Sequence, residues 1–126
     1  MEPADLPAVK QAALLTDGFL SARELLESCR QRAEATEPVV NALVATDWDR
    51  AADTALALDD DRSLCADGSL RGLVTAHKDL LDTAGVVTTY GSVVFADHVP
   101  DVDHPLVSAL RVAGVVAVGK TNTPEF

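Results

Sequence analysis

The chain has 126 residues, with ten Lys and Arg against twenty Asp and Glu, and a formal net charge of -10. This acidic balance argues against nucleic-acid phosphates and anionic membrane surfaces as partners, because both are bound by clustered Lys and Arg. Hydrophobic residues make up 48% of the chain and aromatic residues only 4%. We therefore expect one small domain with a core of Ala, Leu and Val.

The sequence shows no targeting or redox signal, so a reducing cytoplasm is the default expectation. No apolar run approaches the roughly 18 residues of a membrane span. The first ten residues, "MEPADLPAVK", lack the positive and apolar regions of a signal peptide. Cys29 and Cys65 stand far apart and match no metal or redox spacing.

The first 60 residues are predicted to be mainly helical. A helix over residues 5–15 is expected, with Asp5 as its cap and Pro7 in its first turn. A second helix covers "SARELLESCRQRAEA", where Ser21 and Glu24 form a capping box before an apolar face. Residues 39–47, "VVNALVATD", predict a strand. A third helix follows in "DWDRAADTALALDDD" with Asp47 at its start, and 61–71 is a polar connector.

The C-terminal half, residues 72–126, changes character. "GLVTA" and "VVAVGK" are predicted buried strands, with a Gly- and Thr-rich loop after the first. Between them, Asp103 is expected to cap a helix over 104–113 that ends at Gly114. Helices followed by strand, loop, helix and strand predict an α/β fold with the two strands parallel. Such strands need cover on both faces, so we expect residues 1–126 to be the N-terminal portion of a single larger domain.

One motif suggests a nucleotide site. "GVVAVGKT", Gly114 to Thr121, matches the phosphate-loop pattern G-x-x-x-x-G-K-[ST]. A phosphate loop follows a strand and opens a helix at its lysine, so that backbone N–H groups surround the phosphate. Here a helix precedes Gly114, and the four middle residues favour extended structure. Nucleotide binding is kept only as an alternative.

Two further clusters have both a functional and a structural interpretation. "DHVPDVDH", residues 97–104, holds two histidines and three aspartates, which suits either a metal site or a solvated loop leading into a helix. Ser92 could pair with Lys78 as a nucleophile. Ser92 follows Gly91 outside any G-x-S-x-G elbow, which suits turn chemistry instead.

Lys78 is the candidate catalytic residue. Lysine is scarce, with Lys10, Lys78 and Lys120 against seven arginines, and Lys78 directly follows an apolar run. Such a lysine either extends to water or, when buried in an apolar pocket that lowers a lysine pKa, acts as a general base. Asp79 does not block the second option, because neighbouring side chains of an extended backbone point to opposite faces.

The segments "GLVTAHKDLLDTAGVVTTYGS" and "LRVAGVVAVGKTNTPEF" closely resemble the front of the amidase signature family. The shared landmarks are a strand ending in Lys-Asp, a Thr-Thr-x-Gly-Ser loop, a helix ending Leu-Arg-x-Ala-Gly, and a strand ending Gly-Lys-Thr-Asn with Glu-Phe close behind. The N-terminal helices resemble the family's opening segment. His77 departs from the pattern, since many members carry a β-branched or small residue there.

The resemblance implies an α/β/α fold around a large mixed sheet and a Ser–Ser–Lys triad in which Lys78 is the lysine. The lysine acts on a bridging serine, held by a cis peptide bond, that activates the nucleophilic serine. The implied substrate is a small-molecule amide, and neither a metal nor an organic cofactor is needed. Which amide, and which oligomeric state, stay open.

The family's Gly/Ser-rich signature, with both serines and the oxyanion loop, comes after the Asn-Thr-Pro-Glu-Phe landmark. The 126 residues contain only Lys78 of the triad. We therefore expect an N-terminal fragment of an amidase, inactive by itself. The alternative is a non-enzymatic remnant or a fragment that complements a partner chain by supplying strands.

Overall fold

Residues 1–124, which the computed structural model describes, contain four α-helices and three β-strands. The helices are α1 (Ala8–Asp17), α2 (Ala22–Val40), α3 (Trp48–Asp60) and α4 (Pro105–Val112). The strands are β1 (Leu43–Thr46), β2 (Val74–Lys78) and β3 (Val116–Thr121). Short 3-10 turns cover Pro3–Asp5 and Val93–Phe95. The predicted Glu-Phe landmark, residues 125 and 126, lies outside the described residues.

The strands form one mixed sheet in the order β1-β3-β2. β3 is central: it pairs parallel with β2 and antiparallel with β1. The predicted parallel pair is therefore confirmed. β2 begins and ends two residues later than predicted, so that Lys78 is its last residue, opposite Thr121 of β3.

The core lies between the sheet and helices α2 and α3. Its main cluster is made of small and branched side chains: Ala22, Leu26, Ala51, Ala55, Leu58, Val116 and Val118. A second cluster of leucines joins α1 to α2: Leu15, Leu20 and Leu25. The expected core of Ala, Leu and Val is confirmed. No helix within residues 1–124 has the length and apolarity to cross a membrane.

Gly119 allows β1 to approach β3 closely. Its φ is +154°, and a Cβ at this position would lie 2.0 Å from the backbone oxygen of Ala45 and 2.8 Å from Cα of Thr46. No side chain fits into that gap. Glycine is therefore required at this point of the central strand by packing.

The predicted N-termini of α2 and α3 are confirmed. The Glu24 N–H donates to Ser21 Oγ at 3.0 Å, and the Ser21 N–H donates to the Glu24 carboxylate at 2.9 Å, which completes the capping box. Asp47 accepts from the Arg50 N–H at 3.1 Å. These local side-chain bonds satisfy helix N–H groups that have no partner within the helix.

The predicted helix over 5–15 forms as α1, but it begins later than predicted, and the prediction that Asp5 caps it is wrong. Asp5 ends a 3-10 turn, Leu6 is extended with ψ 148°, and α1 begins after Pro7, its N-cap. A residue that precedes proline is pushed out of the helical region by its proline ring. Pro7 therefore separates two short helical pieces.

The predicted strand over 39–47 starts too early. Helix α2 runs through Pro38 to Val40 and ends at Asn41, whose left-handed φ of 50° turns the chain. The Glu37 carboxylate accepts from the N–H groups of Ala42 and Leu43, which secures this turn. Val39 and Val40 favour a strand by residue type, but they continue helix α2 instead. Only residues 43–46 are extended.

The prediction that Asp103 caps α4 is also wrong. His104 is the N-cap, and its Nδ1 accepts from the Leu106 N–H at 3.0 Å, while Pro105 occupies the first turn. Asp103 instead accepts from the Ala84 N–H at 2.7 Å and forms an ion pair with Arg111 at 2.8 Å. Its carboxylate thus ties the loop after β2 to α4.

Candidate functional site

Lys78 lies at the carboxyl end of β2 with its side chain exposed, whereas its neighbours His77 and Asp79 are 4% and 2% exposed. The alternation follows from the extended backbone, which sends successive side chains to opposite sides. The side chains of Lys78 and Asp79 therefore point to opposite sides, as predicted. Of the two options for Lys78, extension to water and burial in an apolar pocket, the structure shows the first.

The buried lysine is Lys120, with 0% of its side chain exposed. Both lysines lie at the ends of apolar strands, but Lys120 of β3 is paired in register with His77 of β2, whereas Lys78 is paired with Thr121. A side chain near the end of the central strand is covered by the loop that leaves β2. The register therefore places the two lysines on opposite faces of the sheet, and the loop covers the face that carries Lys120 and His77.

The ammonium of Lys120 has three oxygen acceptors. Nζ donates to the backbone oxygen of Leu81, to Thr83 Oγ1 at 3.0 Å and to Thr88 Oγ1 at 3.2 Å. The Thr83 hydroxyl donates its own proton to Leu81 O, and the Thr88 hydroxyl donates to Val86 O, each at 3.1 Å. Both hydroxyls therefore turn lone pairs toward Nζ. Three N–H donors meet three acceptors, which matches the full capacity of an ammonium group.

Asp79 supplies the negative charge of this buried group. Its Oδ1 lies 3.9 Å from Lys120 Nζ. The carboxylate also accepts from the N–H and from the hydroxyl of Thr89. The Asp79 N–H donates to Thr121 O at 3.1 Å, and Asp79 O accepts from the Tyr90 N–H at 2.9 Å. We call Asp79, Leu81, Thr83, Thr88 and Lys120 the Lys120 cluster.

Burial shapes the electrostatics of the cluster. Removal from water lowers the pKa of Lys120, and the carboxylates of Asp79 and Asp82 oppose that shift. A buried ammonium without acceptors would be costly. The loop after β2 therefore folds around Lys120. Thr83 and Thr88 of this loop accept hydrogen bonds from the ammonium, and Asp79 supplies the opposite charge.

His77 faces a small cavity close to the Lys120 cluster. The cavity measures about 50 Å³, and Arg50, Thr83 and Arg111 share its lining. Burial lowers the pKa of His77, and the positive charges of Lys120 and Arg111 lower it further, while Asp103 opposes them. The residue that departs from the expected family pattern thus lies in the interior and favours its neutral form.

The phosphate-loop match has a structural explanation. Residues 116–121 are extended as β3, directly after α4, and their backbone is paired with β1 and β2. Gly119 accommodates β1, and the ammonium of Lys120 is bonded to Leu81, Thr83 and Thr88. The string therefore takes the predicted strand conformation, and no ring of N–H groups forms there.

Ser92 and the 97–104 segment have local roles. Ser92 Oγ accepts from the Val94 N–H at 3.2 Å and begins a 3-10 turn, which is turn chemistry. His98 Nε2 is 3.3 Å from the hydroxyl of Tyr90, and His104 caps α4. Across residues 1–124, no three His, Cys, Asp or Glu side chains are close enough to share a metal ion.

Comparisons with known proteins give one consistent result. A profile of the Amidase family matches residues 24–126. A glutamyl-tRNA(Gln) amidotransferase subunit of Oleidesulfovibrio alaskensis is 44% identical over 120 residues, which are 91% of this chain and 23% of that protein. The structure of a peptide amidase from Stenotrophomonas maltophilia matches 94% of this chain and 25% of its own, with a TM-score of 0.84 and 32% identity.

A bacterial aryl acylamidase of the amidase signature family also matches, with a TM-score of 0.84 and 26% identity, over 94% of this chain and 25% of its own. The chain thus spans about a quarter of the length of the relatives it matches. The predicted fold class agrees with these structures, which contain the same arrangement as part of a larger whole.

Proposed function

The chain belongs to the amidase family, and on that premise we propose that it is the N-terminal portion of an enzyme that hydrolyses, or transfers the nitrogen of, a carbon–nitrogen amide bond. The observation that carries the proposal is the family match over residues 24–126, which includes Lys78 at the end of β2. Relatives named as part of an amidotransferase and as a peptide amidase support the reaction class.

We propose Lys78 as the lysine of a Ser–Ser–Lys triad. Its position supports this role in two ways. It stands at the carboxyl end of one of two parallel strands, the side of α/β sheets where ligands bind. It is exposed, so that its amine is available to a group outside residues 1–124.

In the proposed reaction a proton moves from the nucleophilic serine to Lys78 through the bridging serine. The neutral amine of Lys78 takes a proton from the bridging serine, which takes one from the nucleophilic serine. The nucleophile attacks the amide carbonyl, and the leaving nitrogen departs with a proton returned along the same path. Water then attacks the acyl-enzyme and releases the acid. Backbone N–H groups of a glycine-rich loop would stabilise the oxyanion.

Only the lysine of this machinery is within the 126 residues. The serines of the chain stand outside any Gly/Ser-rich signature: Ser21, Ser28, Ser63, Ser69, Ser92 and Ser108. The chain alone is therefore expected to be inactive. The substrate we propose for the whole enzyme is a small-molecule amide, and its proposed location is the cytoplasm.

A second candidate is a fragment that complements a partner chain. It is favoured by the apolar residues exposed along the loop after β2 and on α4: Val93, Val94, Val99, Val102 and Leu106. Their exposure is typical of a surface that another segment covers. This candidate and the first agree that activity needs more sequence than residues 1–126.

A chimera tests the proposed role. Residues 1–126 would replace the matching N-terminal quarter of the Stenotrophomonas peptide amidase, and turnover of a peptide amide would be measured. We expect Lys78→Ala to lower kcat by about 100-fold or more, because removal of a general base usually slows a reaction by at least this factor. Lys10→Ala, which removes a lysine from α1, is the matched control and keeps activity. Equal activity of the two variants would contradict the assignment of Lys78.

A further inference from the structure

Lys78 and Asp79 are covalent neighbours, which sets an electrostatic problem. An ammonium beside a carboxylate holds its proton more firmly, whereas a general base must be able to lose it. The extended backbone points the two side chains apart, but a long exposed lysine can bend toward a carboxylate that is free to meet it. A base at Lys78 therefore needs Asp79 to be held elsewhere.

Asp79 is held on several sides. Its carboxylate is 2% exposed and accepts two hydrogen bonds from Thr89. Its own backbone is bonded to Thr121 of β3 on one side and to Tyr90 on the other. The ammonium of Lys120, 3.9 Å away, is the positive charge that offsets the carboxylate in this interior.

Lys120 is itself fixed in direction. The three acceptors around Nζ have lone pairs oriented toward it, because the hydroxyls of Thr83 and Thr88 donate to backbone oxygens. Thr88 and Thr89 are adjacent in the chain, and one contacts Lys120 while the other contacts Asp79. The two charges therefore occupy defined places on the inner side of the loop.

We propose that Lys120 is a positioning residue that retains the Asp79 carboxylate in the interior and thereby leaves the amine of Lys78 without a neighbouring counter-ion. Two lysines are near the Asp79 carboxylate, and the buried one, Lys120, forms the ion pair with it. The importance of the arrangement rests on the proposed function of Lys78. The test of the arrangement measures the charge around Lys78 and needs no catalysis. The positioning role of Lys120 and the catalytic role of Lys78 can therefore fail independently.

The test is the acetylation rate of Lys78 under a brief pulse of acetic anhydride at pH 8, read by peptide mass spectrometry. Only the neutral amine reacts, so the rate reports nearby charge. The rate is divided by that of Lys10 in the same molecule, which corrects for reagent and time. In Lys120→Met the carboxylate of Asp79 loses its partner, and we expect the ratio to fall by about threefold to tenfold.

The double variant Lys120→Met/Asp79→Asn is the second arm. It replaces the buried pair by neutral groups, which the interior tolerates better than one unpaired charge. Because both charges are gone, we expect the ratio to return to the wild-type value. If Asp79 were the counter-ion of Lys78 in the wild type, the same double variant would raise the ratio severalfold, and that result would overturn the proposal.

The outcomes stay decisive if Lys120→Met does not fold, because the double variant then decides alone. A folded Lys120→Met with an unchanged ratio also overturns the proposal, since a purely structural lysine would leave Lys78 as it was. Lys120→Arg keeps the charge and is expected to keep the ratio. Folding of each variant is checked by circular dichroism and by amide exchange of the Asp79 and Tyr90 N–H groups.

Discussion

Asp79 forms its buried ion pair with Lys120, at 3.9 Å, although the adjacent residue in the chain is another lysine. The pair has 2% and 0% side-chain exposure, so it is closed off from water. Removing one partner of such a pair costs far more than removing both, because the remaining charge is left buried and uncompensated. The stability of the loop after β2 therefore depends on both residues together.

The first prediction concerns the threonines that bind Lys120. Thr83→Val and Thr88→Val each remove one acceptor of Nζ while nearly keeping the shape of the side chain. We expect each to lower the free energy of unfolding by about 1–3 kcal/mol, measured by urea denaturation.

Thr36→Val is the matched control for these variants, because the Thr36 hydroxyl is exposed and donates only to the backbone of α2. A change below about 0.5 kcal/mol is expected there. Thr88→Ser should retain most of the stability, since it keeps the hydroxyl. Equal losses in the core variants and in Thr36→Val would argue against a special role of the hydroxyls.

The second prediction concerns Gly119. In Gly119→Ala the new methyl group would lie 2.0 Å from Ala45 O, and the rigid backbone of β1 leaves it no room. We expect β1 to separate from β3, with a loss of several kcal/mol. Hydrogen exchange of the Asp47 N–H, which donates to Val118 O at 2.8 Å, would report the separation directly.

Gly18→Ala separates steric from conformational effects. Gly18 also has a positive φ, +79°, but no atom lies within 4 Å of an added Cβ. A loss of about 1 kcal/mol, with normal exchange at Asp47, is expected for that variant. If both substitutions had the same effect, close packing of β1 on β3 would not be the reason for Gly119.

The third prediction is a pH dependence that originates from His77. Its folded-state pKa is lowered, so the unfolded chain binds a proton more readily. Stability should be complete well above the ordinary histidine pKa of about 6.5 and should decline as the pH falls below that value. Urea denaturation at several pH values between 7 and 5 would measure the decline.

His77→Val should remove this decline, because valine at the same buried position binds no proton. His98→Gln is the comparison, since His98 is only partly buried and contacts Tyr90 through its Nε2. If His98→Gln removed the decline and His77→Val kept it, His77 would not be its origin. Work below pH 5 is uninformative for this purpose, because carboxylates then titrate as well.

The fourth prediction is that the 126-residue chain alone releases no ammonia from a panel of simple aliphatic, aryl and peptide amides. The reason is that it carries Lys78 without the serines and oxyanion loop of the proposed triad. Turnover that disappears in Lys78→Ala but persists in Lys10→Ala would contradict this and would bring Ser92 back as a nucleophile.

Local chemistry made part of the fold predictable. Ser21 with Glu24, and Asp47 before α3, cap their helices through bonds between residues three apart, and such signals can be read directly from the sequence. The parallel pairing of β2 and β3 follows from a crossover through α4. Family landmarks located Lys78, which ends β2.

Other features depended on distant contacts. The sequence marks Lys78 and Lys120 alike, as lysines that follow apolar runs, but the register pairs Lys120 with His77 and so puts it on the face that the loop after β2 covers. Asp103 has the composition of a helix cap, but the Ala84 N–H and Arg111 compete for its carboxylate. Neither competitor is visible from local spacing.

The cavity beside His77 has a mechanical consequence. Its volume of about 50 Å³ is lost when the chain unfolds, and the loss of such voids makes the unfolded state smaller than the folded one. Hydrostatic pressure should therefore favour the unfolded state of this molecule. Since Arg50 of α3 and Val107 of α4 both line the space, compression would act where these two helices border the cavity.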